Sequence, residues 1–226
     1  MFLTRQQLVF TGLLLLTLYS TSPADNSPPA SPHKGRIEKG FVRLFDGKSF
    51  RGWEGNLKAF RVEKGAIVAG SLKKKIPNNE FLCTKQKFKD FELRLDVRLI
   101  GRGKNAGIQF RSARIPNHHE VKGYQADVGS MGKESIWGAL YDESRRRKFL
   151  ARGNNAKLKK TVRSGGWNAI VIRCKGKRVE IWVNKVKTVD YTEKQANIPQ
   201  NGIIGLQIHS GPPTEAWYKN IRIKKL

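Results

Sequence analysis

The chain has 226 residues, long enough for one domain with a sizeable core. Its 44 Lys and Arg against 18 Asp and Glu give a net charge of +26. That field favours anionic partners, but the basic residues are spread along the chain without any nucleic-acid-binding motif, so nucleic acid is not expected as a partner. The two cysteines and four histidines show no zinc-binding spacing.

Taken in chain order, the first element is not part of the fold. Arg5 precedes the apolar run Leu8 to Tyr19, and Ser22-Pro23-Ala24 offers small residues for cleavage. The run is short for a membrane span of about 20 residues, so residues 1–24 are expected to be an export signal, with no other membrane attachment. The protein is then expected in the periplasm or outside the cell. Residues 25–38, rich in Pro and Ser, read as a linker, and residues 39–226 as one domain.

That domain is a succession of short alternating segments separated by Gly, Pro and Asn. Strands are expected at 41–45, 60–63, 66–70 and 80–84. The clearest follows at 91–99, where Phe91, Leu93, Leu95, Val97 and Leu99 share one face. Further strands are expected at 107–112, 124–128, 137–141, 169–174, 179–184, 185–191, 203–210 and 217–224. No long helical period interrupts them, which predicts an all-β domain, a two-sheet sandwich or jelly roll. Cys83 and Cys174 fall on apolar strand positions, where a disulfide and two buried free thiols are both open readings.

Several strands carry reactive side chains at the parity opposite the apolar one. Gln109 and Arg111 alternate with Ile108 and Phe110; Gln207 and His209 alternate with Leu206 and Ile208; Gln125 and Asp127 share a parity. Antiparallel sheets ordinarily wet one face, but Gln, Arg, Asp and His are unusual there. Tyr124, Trp137, Tyr141 and Trp217 flank these strands and are expected as platforms for sugar rings. Glu120 lies seven residues before Asp127, hence at opposite parity. The two would share a site only if Gly123 marks a bulge or Glu120 belongs to the preceding loop.

At these residues the chain resembles the 3-keto-disaccharide hydrolase family. Leu44 to Trp53 (LFDGKSFRGW) is similar to its opening "LFDGKSLDGW". Asn105 to Ser112 (NAGIQFRS) resembles "NSGIQFRS", and Glu120 to Asp127 its "E-x-x-G-Y-Q-x-D" segment. Trp137 to Asp142 resembles its "GALYD" strand, and Gly205 to Ile223 resembles "GLQIHSG…FRNI". Gly166 departs from the family's "GEWN" turn.

The resemblance implies a concanavalin A-like sandwich and activity on glycosides already oxidised to a ketone at carbon 3. The ketone acidifies the proton on carbon 2; a base removes it, the substituent at carbon 1 leaves, and water adds. Catalytic residues implied are His209 or Glu120 as base, Arg111 with Gln125 at the enolate oxygen, and Asp127. Asp127 would orient His209, or join Glu120 and His209 in holding a divalent cation, the candidate cofactor. Gln109, Tyr124, Gln125, Trp137, Tyr141, Gln207, Trp217 and Lys219 are the substrate-binding candidates, and the second carboxylate of Tyr141-Asp142-Glu143 is a further one beside its reading as a turn. The competing expectations are a non-catalytic module binding carbohydrate, and a basic domain holding anionic polysaccharide by charge alone.

Overall fold

The computed structural model describes residues 37–153 and 155–226, so the expected export signal and most of the linker lie outside the described residues. Chain order runs β1 (Val42–Arg43), β2 (Trp53–Glu54), β3 (Phe60–Glu63), β4 (Ala66–Ser71), β5 (Glu80–Thr84), β6 (Phe91–Gly101), β7 (Asn105–Arg114) and β8 (Val121–Met131). It continues through β9 (Glu134–Ser135), β10 (Leu140–Glu143), β11 (Phe149–Ala151), α1 (Asn155–Thr161), β12 (Asn168–Lys175), β13 (Arg178–Val183), β14 (Val186–Thr192), β15 (Ile203–Ile208) and β16 (Thr214–Lys225).

Two antiparallel sheets result. The first has the order β14-β13-β12-β6-β16-β4-β3 with β1 on β16; the second has β11-β10-β8-β7-β15-β5-β2 with β9 on β8. The alternation in β6 is obeyed: Phe91, Leu93, Leu95, Val97 and Leu99 are buried, while Arg94, Asp96 and Arg98 are half-buried on the other face. Ile108, Phe110, Tyr124, Leu206 and Ile208 of the second sheet meet them in one apolar core. Each such side chain stabilises the sandwich by roughly 1.5–3 kcal/mol. The Lys-rich run before Thr161 forms the short helix α1, which the strand reading did not foresee. Its Leu158 enters the core while the lysines stay in water.

Both cysteines are free thiols. Cys174 lies in the main core, whereas Cys83 packs with Phe81, Val121 and Ile203 in a separate cluster. Burial pushes each thiol up to about 12, which leaves both inert.

One irregularity decides the geometry of the second sheet. Phe110 pairs with Tyr124, but the next pair is Ala113 with Lys122, so Arg111 and Ser112 together oppose Gly123. Arg111 takes φ 47° to accommodate the extra residue. Gly123 has φ 148°, and a Cβ there would come within 2.4 Å of Ser112 Oγ. Gly123→Ala is therefore expected to destabilise the domain by about 2–3 kcal/mol, measured as a lower urea midpoint at unchanged slope.

Candidate functional site

The register sets two rows of side chains on the face of the second sheet turned away from the core. In one, Tyr141 pairs with Gln125, Gln125 with Gln109, Gln109 with Gly205 and Gly205 with Cys83. In the next, Asp127 pairs with Gly107, Gly107 with Gln207 and Gln207 with Phe81. Gly107 is needed for space: a Cβ there would meet Gln125 Cδ at 2.4 Å, because the Gln125 side chain lies across it.

A directed chain of hydrogen bonds runs along this floor. Ser112 Oγ donates to Gln109 Oε1 (2.7 Å), Gln109 Nε2 to Gln125 Oε1 (2.8 Å), and Gln125 Nε2 to Asp127 Oδ1 (2.6 Å). Each amide is fixed by its neighbour, so the donors all point toward one carboxyl. Burial pushes Asp127 up to about 8; Glu143 adds to the rise, while the Gln125 bond and Arg152 oppose it. Glu143, half-buried at the end of β10, is also raised, first by burial and then by Glu120, with His209 opposing.

Around this floor the loops bring further groups. Glu120 lies outside β8, in the loop that precedes it, which is one of the two arrangements that let it share a site with Asp127. Its carboxylate accepts from Asn79 Nδ2 (3.2 Å) and from Ser144 Oγ. Asn79 Oδ1 in turn accepts from Ser210 N (2.9 Å), which places the residue after His209. His209 Nδ1 faces the Ser210 carbonyl at 2.7 Å. A carbonyl only accepts, so Nδ1 carries the hydrogen and a neutral ring keeps its lone pair on Nε2. Gln207 Nε2 faces Glu143 Oε2 at 3.4 Å, and its buried Oε1 has no partner.

The face thus assembles Gln109, Gln125, Asp127, Tyr141, Gln207, His209 and Glu120, and adds Glu143, Ser144 and Asn79. Five expected residues lie elsewhere. Arg111 is turned off the face by the bulge, and its slot is taken by Ser112. Its guanidinium donates to Lys89 O (2.8 Å), Gly176 O (2.8 Å), Gln200 Oε1 (2.5 Å) and Asp90 Oδ1 (2.9 Å). Tyr124 points into the core, stacked on Phe110, with its hydroxyl donating to Glu193 Oε2 at 2.6 Å. Trp137 is a core residue. Trp217 and Lys219 belong to β16 in the first sheet; Trp217 packs with Ala66 and Val68, and Lys219 sits over the Trp167 ring at 3.9 Å.

Of the two carboxylates after Tyr141, Glu143 is the one on the face. Asp142 is buried against Arg145 and Arg146. The shared parity of Tyr141 and Glu143 was the available signal for Glu143; nothing in the sequence marks Asn79. Among the described residues no three His, Cys, Asp or Glu side chains converge as a metal would require. Glu120, Asp127 and His209, the expected cation ligands, are committed to separate partners.

The model of the 3-keto-alpha-glucoside-1,2-lyase-like domain matches residues 40–224. The chain belongs to that family. This lyase-like domain is also similar to solved structures of low identity. One is a candidate glycosyl hydrolase from Parabacteroides distasonis (20% identity, TM-score 0.60, covering 83% of this chain and 94% of that one). Another is the carbohydrate binding module CBM66 from Bacillus subtilis (16%, TM-score 0.58, 77% and 96%). A third is a Bacillus subtilis protein with a galectin-like fold (11%, TM-score 0.59, 82% and 98%). These likenesses fix the architecture as a jelly-roll sandwich. No curated protein matches the chain in sequence.

Proposed function

We propose that this domain is an exported enzyme that cleaves 3-keto-glycosides by proton abstraction, elimination and hydration on the polar face of the second sheet. The family membership supports a carbohydrate-related role. The observation that carries the reaction is Asp127: a buried carboxyl pushed up to about 8 and coupled to a second raised carboxyl, Glu143. Paired groups of this kind are what general acid–base chemistry at neutral pH requires.

In this reading His209 removes the carbon 2 proton through Nε2, and the Glu143 carboxylate stabilises the imidazolium so formed. Asp127, holding its proton at neutral pH, donates to the enolate oxygen, with the Gln109–Gln125 chain fixing its orientation. The carbon 1 substituent leaves as an alkoxide that takes the imidazolium proton; water then adds to carbon 1 of the enone, and His209 takes the proton it releases and passes it to carbon 2. Tyr141, beside Gln125 and half-exposed, lies where a sugar ring would rest.

The test is incubation of the purified protein with a 3-keto-disaccharide and with its unoxidised parent. Cleavage of the keto sugar alone is expected, and Glu143→Gln should lower kcat by about 100-fold or more. Binding of both sugars without turnover would instead favour the carbohydrate-binding reading, to which the likeness to CBM66 lends a precedent in fold.

A further inference from the structure

The Leu44 to Trp53 segment takes no part in the polar face, yet it is tightly organised. The Asp46 carboxylate accepts from Lys48 N, Ser49 N and Ser49 Oγ, each at 2.7 Å. These bonds hold the exposed carboxyl down at about 2, the Ser49 hydroxyl contributing most. Trp53 Nε1 donates to Leu44 O (2.7 Å), and Lys85 N donates to Gly52 O (3.0 Å), so the loop is fastened to the end of β5. Between them lies a cavity of about 520 Å³, within the roughly 300–1,000 Å³ of small-molecule sites.

Leu44 and Phe88 give this cavity an apolar wall, and Arg43, Arg51 and Lys85 give it a cationic rim. Asp46 is the one carboxylate of the lining, and its oxygens are already occupied by its own turn. Arg51 and Lys85 are exposed and take part in none of the ion pairs of the described residues. An apolar wall beside exposed cations matches a sugar ring that carries a carboxylate or sulfate: C–H groups lie on the wall, and the anion reaches the rim.

We infer that this cavity binds an acidic sugar unit, at a position separate from the polar face. The strand order β8-β7-β15-β5 puts three strand spacings between Asp127 and Thr84, and Thr84 lies three residues further along β5 than the register partner Phe81, a separation of about 17 Å. A charged unit held here would belong to the same glycan as the unit processed on the face, or to a neighbouring chain of it. The choice of a sugar as the carrier of the anion rests on the carbohydrate reading above; the cationic cavity itself does not.

Calorimetric titration decides it, using tetragalacturonate, a heparin-derived tetrasaccharide and neutral maltotetraose as probes. At least one acidic probe should bind about tenfold or more tighter than the neutral one, and which one does so separates carboxylate from sulfate recognition. Arg51→Glu with Lys85→Glu should weaken that binding about tenfold or more, while Lys175→Glu with Lys177→Glu, an equal change of charge at an exposed hairpin, should change it less than about threefold. Asp127→Asn should leave it intact even if it abolishes turnover, so this site and the polar face fail independently. Equal losses in the two charge-reversed pairs, equal affinity for acidic and neutral probes, or equal competition by single-stranded DNA would each overturn the assignment. A loss with Asp127→Asn matching that of the cavity pair would place the acidic sugar on the polar face and overturn it too.

Discussion

Asp127→Asn is expected to stabilise the domain at pH 8 and to abolish turnover. The sign follows from where the proton is held. In the unfolded chain Asp127 releases it near the ordinary value of 3.8, whereas the folded protein keeps it until about 8. Between those values the native state binds more protons, so stability falls as pH rises, by about 1.4 kcal/mol per unit for a single fully shifted group. The penalty is absent below the unfolded value and reaches its limit above the folded one. Asn removes the titration while keeping an oxygen to accept from Gln125 Nε2.

Urea unfolding at pH 5 and pH 8 should therefore show a wild-type loss of a few kcal/mol, of which the variant keeps only the part that the raised Glu143 carboxyl contributes. Glu38, Asp190 and Glu193 do not confuse this window. All are held near 2, and their stabilisation is lost only as the pH falls below the ordinary carboxylate range. The same variant should lower kcat by about 100-fold or more, because an amide cannot yield a proton to a developing enolate. A variant that loses its pH slope but keeps its turnover would confine Asp127 to a structural role.

Period-two alternation located Gln109, Gln125, Asp127 and Gln207 without any structure, since a strand has only two faces and the apolar set occupies one. It failed where the period itself fails. A bulge at Arg111 is invisible in its own strand, because the residue in the left-handed conformation is not glycine; the one mark of it is Gly123, on the opposite strand. Glu120 was legible only as a choice between two arrangements, and a loop resolved it. Trp217 and Lys219 have the right chemistry, but strand order is a long-range property. Whether β16 joins the sheet of β15 or that of β6 is decided by packing across the whole sandwich. Tyr124 had the parity of Ala126 and Val128 and was core by that rule; its hydroxyl needs no sugar because Glu193 accepts from it.

Arg111 offers the sharpest separation between the two readings of that bulge. Its side chain is fully buried and satisfies two backbone carbonyls, Gln200 and Asp90. Arg111→Ala would leave Lys89 O, Gly176 O and the Gln200 amide oxygen without this donor. These three bonds and the Asp90 ion pair are each worth on the order of 1 kcal/mol net, so the expected loss is on the order of 4 kcal/mol. That is a large part of the roughly 5–15 kcal/mol that holds a domain of this kind.

Arg111→Lys keeps the charge but not the planar fork, so it should recover only part of the loss. If the guanidinium serves architecture alone, the Lys variant, assayed where it is folded, should turn over the keto sugar within about threefold of wild type. A guanidinium at the enolate oxygen would instead cost about 100-fold when removed. Normal stability with lost turnover in Arg111→Lys would return the arginine to the chemistry. Lost stability with retained turnover would leave donation to the enolate oxygen to Asp127 and the amides beside it.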